Sequence, residues 1–155
     1  MSSAVNQPDT DSLSTLVRTK LVLVELLACL AQKQLAVAEH GETTEILRLL
    51  SAKQTVLARF GEIQRQLEPF RAQDPESRAW RSAADRLRCR QEAKRCDELL
   101  AEAMCVEKQG EAALLRRRDQ AASRLAGASA ASEAHAAYSR QPQSPAPAVQ
   151  LHGEG

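Results

Sequence analysis

Residues 46–67 read ILRLLSAKQTVLARFGEIQRQL, and their spacing decides the fold. Ile46, Leu49, Lys53, Val56, Phe60, Ile63 and Leu67 follow one another in alternating steps of three and four residues. On an α-helix such positions fall in one narrow stripe, the seam of a heptad pattern. All of them except Lys53 are apolar. A stripe of that kind needs a second helix to cover it, so the chain is expected to be all-α.

Composition points the same way. Hydrophobic residues make up 43% of the 155-residue chain but aromatics only 3%, so the core has to come from Leu, Val, Ile and Ala. Such side chains suit long helices lying side by side better than an enzyme with a deep pocket. The length allows one domain with a modest core. With 21 basic and 20 acidic residues the formal charge is +1, and nothing global points to nucleic acid or to an anionic membrane.

Working outward from the seam, the preceding stretch predicts a first helix from about residue 13 to 39. Leu13, Val17, Val24, Leu27, Ala31 and Ala38 keep helical spacing, and Leu16, Leu23 and Leu30 widen the apolar face enough for two neighbours. Asp11 or Ser12 is the expected N-cap, and Gly41 is expected to end the helix in the left-handed conformation. The apolar run LVLVELLACLA at 21–31 contains Glu25 and is about half the roughly 20 residues that span a bilayer, so it reads as a buried face. Thr43 or Thr44 caps a second helix over 44–68, which Pro69-Phe70 stops. A short link between helices of similar length predicts an antiparallel hairpin.

Beyond it, Asp74-Pro75-Glu76 is a helix-start signal. From there helix can run to about 126, with a break expected near Gly110 and a fourth helix from 111, the alternative being one continuous helix that overhangs the bundle. Cys89, Ala93, Cys96, Leu100, Ala103, Gly110 and Leu114 keep heptad spacing along this half, with Glu107 as the polar exception. The expected fold is an elongated antiparallel bundle of three to four long helices, coiled-coil-like, over residues 13–126. Residues 1–12 are expected to be disordered, 127–138 to be an Ala-rich segment with helix potential, and 139–155 to be a disordered Pro-containing tail.

Reactive chemistry is sparse. His40, His135 and His152 form no Glu-x-x-His pair, and Cys89, Cys96 and Cys105 lack the close spacing of structural zinc ligands. Two of these cysteines seven residues apart on a helix sit about 10 Å from each other, too far for a disulfide. They read as small buried residues. No phosphate loop, nucleophile elbow or dinucleotide fingerprint occurs, so no catalytic, cofactor or metal residue is expected and the chain is not expected to be an enzyme. Between Arg78 and Arg95 the basic residues point all round a helix, with Arg81, Arg88 and Arg95 on one stripe and Arg86, Arg90 and Lys94 roughly opposite. That describes a solvated rod and not a nucleic-acid face. Lys53, alone in its seam, is expected to snorkel along a neighbouring helix and to fix register.

The layout resembles the FlgN family of flagellar export chaperones. The resemblance rests on LVELLACLAQKQ at 24–34 with its preceding leucine, on ILRLLSAKQTVL at 46–57 with Leu49 and Lys53, on the long polar helix that follows, and on AHAAY ending at Tyr138. It covers roughly residues 13–138. Family members often carry glycine after that tyrosine, where this chain has Ser139-Arg140. The resemblance implies a cytoplasmic, helical binding protein without cofactors and not inserted in a membrane, a monomer or weak dimer. Its clients would be the helical C-terminal segments of hook-associated proteins (FlgK/FlgL-like), masked by helix-in-groove recognition and delivered to an FlhA-like export gate. By the same resemblance Leu114, Leu115 and Leu125 are the candidate client-facing residues and Tyr138 the candidate gate-docking residue. The alternative is a structural coiled-coil or adaptor protein that acts through helix–helix association alone.

Overall fold

The computed structural model describes residues 9–140, and these contain three α-helices, one 3-10 turn and no strand. Helix α1 is Thr10–His40, α2 is Thr43–Arg71 and α3 is Ala83–Ser139. The described residues fall into two units that divide between Arg117 and Arg118. The expectations for residues 1–8 and 141–155 lie outside the described residues.

In the first unit the three seams meet. Leu13 and Val17 of α1, Leu67 and Phe70 of α2 and Cys89 of α3 form one buried cluster, flanked by Leu16, Ile63, Trp80 and Ala93. Each fully buried large apolar side chain in such a cluster contributes about 1.5–3 kcal/mol. All six residues named for the first face of α1 are buried, and Leu23 with them. Along α2, Leu67 is buried and the other six seam positions are half-buried. The α3 seam is shifted in part: Cys89, Cys96, Ala103 and Gly110 are buried as expected, but Leu99 and Ala113 are buried where Leu100 and Leu114 were expected, and Ala93, Leu100, Glu107 and Leu114 are half-buried.

Cross-helix contacts give the chain directions. Lys20 lies over the Phe60 ring, 5.8 Å from its centroid, while Val37 lies beside Leu49, so α2 returns along α1. Cys96 Sγ faces the Val17 carbonyl at 3.9 Å, and Arg117 donates to the Val37 carbonyl at 3.5 Å, so α3 runs in the same direction as α1. The Arg18–Glu92 pair at 3.6 Å and the Arg81–Asp11 pair border the same α1–α3 contact.

Several boundaries differ from the sequence reading, each for a local reason. Helix α1 begins at Thr10, because Asp9 and neither Asp11 nor Ser12 is the cap, its carboxylate accepting from the Asp11 N–H at 3.1 Å. Residues 10–12 are therefore helical. Gly41 is extended, at φ −83°, and not left-handed; its N–H donates to the Val37 carbonyl at 2.6 Å. A side chain at Gly41 would collide with that of Val37, so close approach explains the glycine there. Helix α2 is preceded by Glu42, which makes no capping bond, and it continues through Pro69 to Arg71. Burial of Phe70 holds that last turn in place, since proline removes only one backbone donor there.

Asp74 caps as expected, accepting from the Glu76 N–H at 3.1 Å, but it starts only the turn Pro75–Ser77. Tertiary bonds then hold the chain extended. Arg78 donates to the Phe70 carbonyl at 2.7 Å and to Gln73 Oε1 at 3.1 Å, and Thr10 donates to the Ala79 carbonyl at 2.8 Å. The helix proper starts at Ala83, with Ser82 Oγ accepting from the Asp85 N–H at 3.1 Å. No break occurs at Gly110: α3 is continuous there, so the expected fourth helix is part of the third. Gly110 is instead a point of contact, where an added methyl group would come within 4.0 Å of Gln34 Nε2 and Leu35 N.

In the second unit α3 continues to Ser139, and the Ala-rich stretch at 127–138 is helical throughout.

Candidate functional site

Helix propensity, and not burial, forms residues 118–139, since each of them is exposed except half-buried Ala136. Alanine loses no side-chain entropy in a helix and supplies almost no apolar area to bury. The two large apolar side chains on this stretch stand in solvent: Leu125 is 72% exposed and Tyr138 77%. Thirteen residues apart, they point about 140° away from each other around the helix, so they form two separate features.

The other two candidates lie in the first unit. Leu114 belongs to the α3 seam and is half-buried, whereas Leu115, one position on, is half exposed at the surface. Met104 is exposed too and falls on the face of Leu115 at helical spacing, with Lys108 and Glu111 between them. Thus Leu114 and Leu115 are separate features of the first unit, and Leu125 and Tyr138 of the second. They are apolar points along one helix.

Sequence reasoning passed over further exposed apolar side chains: Val22 and Leu26 on α1, Leu47 and Leu57 on α2, and Leu87 on α3. A signal was present for the first two. A run such as LVLVELLACL, interrupted only by Glu25, carries more apolar side chains than one buried stripe holds, so some must face water. At the α1–α2 turn, Ala36, Val37 and Leu49 line a shallow apolar depression edged by Lys33, Glu45 and Arg48.

Lys53 has a specific partner. Its ammonium meets the carboxylate of Glu107, so the polar exceptions of the two seams face each other between α2 and α3. The two side chains are only 24% and 22% exposed, and Glu107 Oε1 is shielded from solvent with the Lys53 ammonium beside it. A paired, partly buried charge of this kind specifies register, because sliding either helix would strand both groups.

The cysteines are free and split into two kinds. Cys89 and Cys96 are buried, and desolvation raises both thiol pKa values, which keeps them protonated and inert. Cys29 and Cys105 are exposed, contrary to the expectation of burial for Cys105. No group of three or more metal-ligating side chains occurs among the described residues. Helix α1, at 31 residues, is long and apolar enough to cross a bilayer by length and composition, although the run at 21–31 alone is too short; its buried face is covered by the protein's own helices. Comparison of the chain with protein-family models, with curated proteins and with solved structures found no match.

Proposed function

We propose that this chain is a flagellar type III export chaperone of the FlgN kind. It masks the helical C-terminal segments of hook-associated proteins (FlgK/FlgL-like) in the cytoplasm and hands them to an FlhA-like export gate. One observation carries the reading: residues 118–139 form a helix whose Leu125 and Tyr138 are left to solvent. A helix with unburied anchors is what helix-to-helix recognition requires of one partner. Leu115 and Leu125 contact the client and Tyr138 the gate; Leu114 supports the surface from the seam side. The chain acts by binding, without catalysis or cofactor. Its helices form an antiparallel, coiled-coil-like bundle that acts without inserting in a membrane, a reading supported by the burial of one face of α1 within the protein.

The test is calorimetric titration of the full chain with the C-terminal segment of a hook-associated protein. Micromolar binding is expected, weakened about tenfold or more by Leu125→Ala (on the order of 1.4 kcal/mol or more). Tyr138→Ala is expected to leave client binding intact and to abolish capture by the gate protein. No heat of binding, with no gain in helicity, overturns the proposal.

A second reading has its own support. Val22 and Leu26 stand exposed on α1 and Leu47 and Leu57 on α2, side chains a helix-associating adaptor would cover in a homodimer. Light scattering separates the two readings: an obligate dimer indifferent to hook-associated protein favours the adaptor.

A further inference from the structure

The extended strap at 78–80 leaves a half-open cavity of about 390 Å³ between itself, α1 and α3. Leu13, Val17, Cys89 and Ala93 form an apolar floor, and Trp80 forms one wall. Arg78, Arg86 and Arg90 stand at the rim, with Glu76 as the only acid among the lining residues. Arg78 is committed to the Phe70 carbonyl and to Gln73. Arg86 pairs with Glu76 at 3.5 Å, but Arg90 has no ion-pair partner among the described residues, so three arginines face one acid. Arg86 and Arg90 are also four residues apart on one helical face, where like charges repel by a few tenths of a kcal/mol.

The groove on the other side of Trp80 shows that this surplus is local. It too is lined by three arginines, but Arg18 pairs with Glu92, Arg81 with Asp11 and Arg88 with Asp85. That groove is neutral by its own charges, whereas the first cavity keeps a positive rim over an apolar floor.

We propose that the first cavity binds an amphiphilic monocarboxylate, a small molecule with one carboxylate on a hydrocarbon tail. The head pairs with Arg90 and Arg86 and the tail lies on Leu13, Val17 and Trp80. A peptide terminus matches less well. Its backbone amides would enter a floor of leucine, valine, alanine and thiol that offers them few partners, and a buried amide left unpaired costs about 1–3 kcal/mol. The volume falls at the small end of ligand sites, which suits a short tail. This site is independent of the export reading.

The probe is octanoate, titrated into the full chain at low ionic strength. Binding is followed by the emission of Trp80, the sole tryptophan, and by thermal melting. A saturable change in emission and a raised Tm are expected, with 1-octanol binding at least tenfold more weakly. Arg90 is exposed, so Arg90→Gln is expected to fold normally. It should weaken octanoate about tenfold and leave octanol unchanged, while Arg81→Gln in the neutral groove leaves octanoate binding as it was. The proposal is overturned if octanoate gives no saturable response, if octanol binds as well, or if Arg90→Gln binds octanoate like wild type. Response to a peptide with a free C-terminus but not to octanoate overturns it equally.

Discussion

Replacing Lys53 by methionine should do more harm than replacing its partner, and the asymmetry comes from where the two groups sit. Methionine matches the volume of the lysine stem, so packing is kept and only the charge is lost. The Glu107 carboxylate then has an oxygen shielded from solvent with no cation beside it. Breaking a fully buried pair costs about 3–5 kcal/mol and a surface pair about 0–1 kcal/mol. With side chains 24% and 22% exposed, the Lys53–Glu107 pair lies between these limits, so Lys53→Met should cost about 2 kcal/mol. Glu107→Leu leaves an ammonium on a flexible stem that can reach water, and about 1 kcal/mol is expected. The double variant Lys53→Met/Glu107→Leu replaces the pair by two apolar side chains in apolar seams, and should lie within about 0.5 kcal/mol of wild type. The cycle then closes with a coupling of about 2.5 kcal/mol. Urea unfolding followed by far-UV circular dichroism measures all four proteins. A Lys53→Met protein as stable as wild type, or a double variant as damaged as the sum of the singles, refutes the reasoning.

Two further outcomes follow from the first unit. Gly110→Ala should stabilise the protein by about 0.5–1 kcal/mol, since helical glycine is entropically costly and the new methyl group meets nothing closer than 4.0 Å; a lower urea midpoint would show that α1 and α3 need the glycine to approach. Burial raises the folded-state pKa of Cys89 and Cys96 above the unfolded value, so the stability they contribute is fully present below the unfolded thiol range. It is lost as pH rises through the raised folded values, above about pH 8.5. A Cys89→Ala/Cys96→Ala protein should therefore show a shallower alkaline decline than wild type, and parallel declines would contradict this.

Much of the first unit was legible because heptad spacing is a strong constraint. The seven seam residues of α2, from Ile46 to Leu67, are all buried or half-buried, but on α3 the pattern held only at Cys89, Cys96, Ala103 and Gly110: the helix buries Leu99 and Ala113 and leaves their named neighbours Leu100 and Leu114 half-buried. Lys53 and Glu107 were both visible as exceptions, but their meeting was not. Which exceptions meet depends on the offset between α2 and α3, and the strap at 72–82 sets that offset. That strap is where the reading failed. Asp74-Pro75-Glu76 is a sound local start signal, yet Arg78, Ala79 and Trp80 are held extended by Phe70, Gln73, Thr10 and the core. Specific side-chain bonds outweigh local propensity there, and one of them, from Thr10 to the Ala79 carbonyl, joins residues 69 apart that no window of sequence contains. Gly110 failed in the opposite sense. A glycine costs about 1 kcal/mol in a helix, too little to break one whose flanking turns carry Ala103 and Ala113 into the core.

The candidate site was legible only in part, for a reason that lies in how helices spend apolar residues. Periodicity identifies a side chain that must be buried, because a partner stripe completes the pattern. It says nothing of a side chain exposed by design, because Leu125 among alanines looks the same whether a client covers it or water does. Residues 118–139 sharpen this. Their helix continues one already nucleated by packing, and alanine-rich sequence propagates a helix at little cost, so the absence of a seam does not imply the absence of structure. What separates a binding helix from an idle one is then the cost of its anchors. An exposed leucine and tyrosine forgo about 1.5–3 kcal/mol each of available burial, which a soluble helix of serine and glutamate would not. Substituting both Leu125→Ser and Tyr138→Ser should leave the folding free energy of the bundle unchanged within about 0.5 kcal/mol. If the fold is instead destabilised by more than that, the two side chains serve the chain's own fold and the masking proposal loses the observation that carries it.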